Sequence, residues 1–238
     1  MTTCLLIRHG QSQANVDGIL AGRTESDLTE DGWGQIRRLA KGLFQVRLSS
    51  LVTSPLERCA VTASEICSIQ AEGCQVEVEE RVAEVQYGAW TGKSLKDLAA
   101  EELWKDVQSA PSTVTFPADP DGDHDHESLS AMSDRAWEAW QQWDERIEEE
   151  HGEHAVWAMV SHGDVIKALL ARAMGLPLDS FQSIIVDPAS VSIIERQKGR
   201  TAVRALNLRD DVYPRLGKQQ LEDPDEGAEI GVVGGGDG

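Results

Sequence analysis

Short apolar runs alternate with amphipathic stretches along most of this chain, and polar or glycine-bearing turns separate them. A continuous apolar run reads as a strand buried on both faces, whereas apolar residues three and four apart mark one face of a helix. Residues 3–7 read as the first strand. A helix follows over residues 30–46, capped by Thr29, with Ile36, Leu39, Ala40 and Leu43 on one face. Strands over 51–53 and 76–78 flank a helix that begins at Pro55 and runs to about Ser68. Residues 87–127 mix short helical pieces, such as 94–108, with the polar loop 117–126, and read as a cap inserted over a site. Beyond it come a long helix over 127–151, a strand over 155–160 and a helix over 164–174. Residues 183–186, 190–195 and 202–206 read as further strands. This alternation predicts an α/β fold around a mostly parallel sheet.

The chain is 238 residues long and 40% hydrophobic, enough for one large domain to bury a full core. The expected organisation is one α/β domain over 1–212 and an acidic, glycine-rich, disordered tail over 213–238. Net charge is −19, which excludes the basic stripe expected of a nucleic-acid or anionic-membrane binder. There is no signal peptide pattern, and no run approaches the ~18 apolar residues of a membrane span. The four cysteines show no zinc-type pair, so reduced thiols in a cytoplasmic protein are expected.

Candidate chemistry sits where the apolar runs stop. The first run ends in Arg8-His9-Gly10, at the strand end where open α/β sheets place ligands. Arginine offers a fixed fork of donors to a phosphoryl group, and a neutral histidine can attack phosphorus. Ser54-Pro55-Leu56-Glu57-Arg58 follows the second strand. Glu84-Val85-Gln86-Tyr87-Gly88-Ala89-Trp90-Thr91-Gly92 follows the third. Val160-Ser161-His162-Gly163-Asp164 joins the fourth strand to a helix.

With these four blocks in order, from about Cys4 to Leu208, the chain resembles the histidine phosphatase superfamily, also called the phosphoglycerate mutase-like clan. The resemblance implies a three-layer α/β/α sandwich. It implies that His9 forms a phosphohistidine, that Arg8, Arg58 and His162 surround the phosphoryl group with Asn15, and that Glu84 protonates the leaving oxygen. Gly163 would open a helix whose amides face the anion. Neither metal nor cofactor is implied. In mutases of the clan, the segment equivalent to Val85-Gln86-Tyr87-Gly88 carries basic residues that hold a substrate carboxylate; their absence favours hydrolysis of a small phosphorylated metabolite. A phosphomutase using the same phosphohistidine is the alternative, and a non-catalytic phospholigand-binding protein is a third reading.

Other features have plainer readings. Arg23, in Gly22-Arg23, reads equally as a substrate contact or a surface charge. The loop Asp121-Gly122-Asp123-His124-Asp125-His126-Glu127 has metal-ligand residue types without a ligating scaffold, and an acidic loop is favoured. Trp137, Trp140 and Trp143 recur every third residue, which points to packing. Sequence leaves the oligomeric state open, a homodimer included.

Overall fold

A computed structural model describes residues 1–70 and 74–209; the expected tail over 213–238 lies outside the described residues. The elements are β1 (Thr2–Arg8), α1 (Gln13–Asp17), α2 (Glu30–Leu43), β2 (Ser50–Thr53), α3 (Glu57–Ser68), β3 (Val76–Val78), α4 (Leu95–Leu98), α5 (Glu102–Ser109), α6 (Leu129–His151), β4 (Val156–Ser161), α7 (Gly163–Ala173), β5 (Val191–Gln197) and β6 (Arg200–Leu208). One sheet runs in the order β3-β2-β4-β1-β5-β6. The first four strands of that order are parallel, and β5 and β6 close one edge antiparallel.

Alternation along the central strands sorts the core into two layers. Leu5 and Ile7 of β1, with Ala158 and Val160 of β4, pack against Ile36, Leu39 and Leu43 of α2 and Ala63 and Ile66 of α3. Cys4 and Leu6, with Trp157 and Met159, face Trp140 and Ile147 of α6 and Ile166 and Leu170 of α7. Because side chains point to opposite faces every second residue, an unbroken apolar run is what a strand between two helical layers requires. The result is the three-layer α/β/α sandwich.

Local chemistry explains the helix limits. Thr29 caps α2 by accepting from the Gly32 amide at 3.0 Å, with Glu30 and Asp31 in the first turn and Lys41 in the last. Ser128 caps α6 through the Ala131 amide at 3.0 Å. Pro55 lies two residues before α3 rather than in its first turn, because the chain stays extended through Leu56. Trp137 and Trp140 stack at 4.8 Å, so the tryptophan series serves packing.

Three further expectations change. The stretch 183–186 is not a strand: residues 178–183 form a 3-10 helix, and the apolar residues after it line a cavity ahead of Pro188. The loop after β1 contains α1, too short for a visible periodicity but held by reciprocal hydrogen bonds between Ser12 and Asn15. Cys67 and Cys74 form a disulfide, not two thiols, with their Cα atoms 5.6 Å apart. Cys4 and Cys59 are free and buried. Among the described residues, no helix is long and apolar enough to cross a membrane.

Candidate active site

Three adjacent parallel strands end together. Arg8 of β1 is in register with Ser161 of β4, and Thr53 of β2 with Val160. The next residue of each strand, His9, His162 and Ser54, therefore emerges at one edge of the sheet. Amide bonds extend the ladder there, from His9 to the Ser161 carbonyl at 3.1 Å and from Ser54 to Val160 at 2.9 Å. The imidazoles of His9 and His162 meet edge to face, with centroids 5.3 Å apart. Gly10 and Gly32 make the first turn possible. A Cβ on Gly32 would lie 2.1 Å from the Gln11 carbonyl oxygen, so the chain leaving His9 rests directly on the α2 backbone.

The ring of His9 is oriented by its own turn. Its Nδ1 lies 2.7 Å from the Gly10 carbonyl, which can only accept, so the proton is on Nδ1 and the Nε2 lone pair is left for attack. Burial, together with the Arg58 and Arg8 guanidiniums, holds this imidazole well below its ordinary value and so keeps it neutral. His162 is lowered likewise, by burial first and then by Arg58, His9 and Arg8. Its Nε2 lies 2.8 Å from the Ser54 hydroxyl, which itself accepts from the Leu56 amide at 3.3 Å. Ser54 and Nε2 thus share a hydrogen bond, and the Nδ1 edge of His162 faces Glu84.

Arg58 is almost fully buried at the start of α3 and donates to the carbonyls of Gly22 at 2.7 Å and Thr24 at 2.9 Å. Arg8 donates to the Val186 carbonyl at 2.7 Å. Its Nε is buried and makes no hydrogen bond among the described residues, which suits an anion site. The carbonyl end of the Asn15 amide accepts from the Ser12 amide at 3.0 Å, which turns the amide's donors outward. At the start of α7, where His162 offers no side-chain cap, the amides of the first turn add further donors.

Glu84 completes the set. Burial above all, and then the Asp164 carboxylate, push its carboxyl up to about 7 against the pull of Arg58. Arg135 of α6 holds the backbone that carries it, donating to the carbonyls of Arg81, Ala83 and Glu84 at 2.6, 2.8 and 3.2 Å. The same guanidinium grips Glu127 at both carboxylate oxygens. Nothing in the sequence singled out Arg135, because the carbonyls it holds lie more than fifty residues away.

Arg8, His9, Asn15, Arg58, Glu84 and Gly163 line one cavity of about 440 Å³. His162 is fully buried just behind that lining. Arg23 stands beside the cavity rather than among its lining residues and donates to the Glu84 carbonyl at 2.9 Å. Sequence reading also passed over three neighbours, Ser54 as the partner of His162, Cys59 with Sγ 3.5 Å from His162 Nε2, and Tyr87, which donates to Asp164 at 2.8 Å. Burial pushes the Cys59 thiol up to about 12, so it stays protonated. The 121–127 loop packs on the Glu84 block, with Gln86 donating to Asp125 at 3.3 Å. Among the described residues, no group of three or more His, Cys, Asp or Glu side chains is gathered as a metal ion needs.

A neutral imidazole, two guanidiniums, a ring of outward donors and a protonated carboxyl in one cavity suit phosphoryl transfer. Residues 4–209 match the family model of the histidine phosphatase superfamily (branch 1). Phosphoserine phosphatase 1 of Hydrogenobacter thermophilus is 29% identical over 210 residues, covering 87% of this chain and 93% of that protein. The probable phosphoglycerate mutase GpmB of Escherichia coli O1:K1 / APEC is 27% identical over 198 residues, 83% of this chain and 86% of that protein. The solved structure of Bacillus stearothermophilus YhfR superposes with a TM-score of 0.75 at 28% identity, covering 89% of this chain and 98% of that one.

Proposed function

This chain belongs to the histidine phosphatase superfamily, whose activity on small phosphorylated metabolites proceeds through phosphohistidine, and we propose that it is a metal-independent phosphomonoesterase. The observation that carries the reading is the 5.3 Å approach of His9 and His162 beside Arg8, Arg58 and Glu84. In this reading the His9 Nε2 lone pair forms the N–P bond while the ester P–O bond breaks. Arg8, Arg58, the Asn15 amide and the first-turn amides of α7 hold the equatorial oxygens. His162, neutral and held by Ser54, directs its Nδ1–H to the same face. Glu84 gives its proton to the departing alkoxide. As a carboxylate it then takes a proton from the water that cleaves the N–P bond, which restores His9 and releases inorganic phosphate.

Hydrolysis is favoured over mutation by what stands beside Glu84. Val85 is fully buried and the amide of Gln86 is engaged with Asp125, so that segment offers no cation to a substrate carboxylate. The test is release of inorganic phosphate from simple phosphomonoesters, with and without EDTA. His9→Ala is expected to lower turnover by about 10⁴-fold or more. Retained turnover in that variant, or isomer formation without phosphate release, overturns the reading.

A further inference from the structure

Away from the phosphoryl end, the same cavity changes character. Its far wall is built by Ile19, Leu20, Trp90, Trp104, Val107 and Phe116. The aromatic members pack on one another, Trp90 6.2 Å from Trp104 and 5.5 Å from Phe116, and Phe116 4.9 Å from Tyr87. Trp90 and Phe116 are buried behind the wall, and the half-buried Ile19, Leu20 and Trp104 present its open face. The apolar lining does not stop at the mouth, where Leu95 and Ile185, 39% and 68% exposed, continue it into solvent. Exposed side chains of that kind, rimming a concave apolar wall, mark a surface kept for a ligand.

Two guanidiniums and one ammonium line the cavity. Arg8 and Arg58 belong to the phosphoryl group. Lys167, the other cation in the lining, is 3.3 Å from Asp164 and donates to Gln182 at 3.1 Å. Asp164 in turn accepts from Tyr87. Among the described lining residues, each of these cations already faces a carbonyl or carboxylate of the chain, and the charge of Lys167 is matched by Asp164. A carboxylate on the alcohol would lose water beside Leu20 and Trp104 and would have to compete with Asp164 for Lys167, which is costly.

We infer that the alcohol half of the substrate is bulky, uncharged and largely apolar, an aryl or long alkyl group laid along the Ile19–Leu20–Trp104 wall toward Leu95 and Ile185. This rests on the phosphomonoesterase reading and goes beyond it by naming the class of ester. Binding energy gathered on that wall, remote from phosphorus, would position the ester oxygen beside Glu84.

The test is a series of n-alkyl phosphates from ethyl to octyl, whose alcohols differ little in acidity, assayed by phosphate release beside O-phosphoserine and 3-phosphoglycerate. The value of kcat/KM is expected to rise about threefold per methylene until the wall is covered. Hexyl phosphate should exceed both carboxylate-bearing esters by about 10²-fold. Leu95→Ser with Ile185→Ser, at exposed rim positions that carry no core packing, should flatten the chain-length dependence. A flat or falling series, a preference for either carboxylate ester, or an unchanged slope in the double variant overturns the inference and leaves the phosphomonoesterase reading standing. No phosphate release from any ester overturns both.

Discussion

The carboxylate of Glu84 stands 3.9 Å from Nδ1 of His162, with the imidazole fully buried and the carboxyl nearly so. Neither group has a charge of opposite sign at hydrogen-bond distance, so each is pushed toward its neutral form, the acid upward and the base downward. This is the protonation pair that acid-assisted departure from phosphorus needs at neutral pH.

A pH profile follows directly. With Glu84 at about 7, the rate of the first half-reaction should fall above that pH, whereas His9, held below its ordinary value, stays neutral and reactive under mildly acidic conditions. Glu84→Gln should lower kcat by about 10²–10⁴-fold and remove the alkaline limb. Stability moves with the same group. Because its folded value lies above the ordinary one of 4.5, stability is fully present below pH 4.5 and is lost as the pH rises through about 7. Thermal unfolding of the substrate-free protein should show that decline, and the Gln variant should lack it. An alkaline limb that persists in Glu84→Gln assigns the proton donor elsewhere.

Ser54 should control the ring of His162. Its hydroxyl lies 2.8 Å from Nε2, so Ser54→Ala removes the partner that selects the tautomer. A single imidazole ¹⁵N pattern is expected for His162 in the parent protein and a tautomeric mixture in the variant, with kcat down about tenfold. An unchanged ¹⁵N spectrum would show that the ring is held by packing instead.

Arg135 touches no substrate, and its effect should pass through Glu84. Removing it frees the carbonyls of Arg81 and Ala83, leaves that of Glu84 to Arg23 alone, and leaves the mostly buried Glu127 only the Gln86 backbone amide and Arg23 at 4.0 Å. Arg135→Ala should lower kcat about 10²-fold with little change in KM, and should displace the alkaline limb set by Glu84. Arg135→Lys should recover little, since an ammonium cannot serve several carbonyls and both carboxylate oxygens at once. Loss of stability with an undisturbed pH profile would reduce Arg135 to a purely structural part.

Asp144 anchors the far end of the sheet. Buried on α6, it accepts from the Thr2 hydroxyl at 2.9 Å, from the Trp157 indole at 3.0 Å and from Arg196. Asp144→Ala leaves these donors stranded and should cost about 3–5 kcal/mol in denaturant unfolding, with kcat retained where the variant is folded. A loss under about 1 kcal/mol would mean that water reaches the vacated donors.

The order of strands and helices was legible because each depends on neighbours a few residues apart: the apolar run of β1, the Thr29 cap, the face of α2. The residue types of the site were legible for a related reason. Arg8-His9-Gly10, Ser54 to Arg58, the Glu84 block and His162-Gly163 each stand at the end of such an element. The apolar stretch at 184–186 misled, since a short run has the same pattern whether it pairs as a strand or lines a cavity. Pro188 and the bond from Arg8 to the Val186 carbonyl decide between them.

By itself, then, the amino-acid order determined the layering of the fold and the kinds of groups delivered to the sheet edge, because backbone periodicity and capping act over one or two turns. Only the tertiary structure decided that Glu84 is raised and both imidazoles lowered, that Arg135 grips the loop behind them, that Arg23 stands beside the cavity, and that Cys67 meets Cys74. Desolvation, Coulomb fields and packing depend on distance in space, and the groups responsible, such as Arg8 and His162, lie up to about 150 residues apart along the chain.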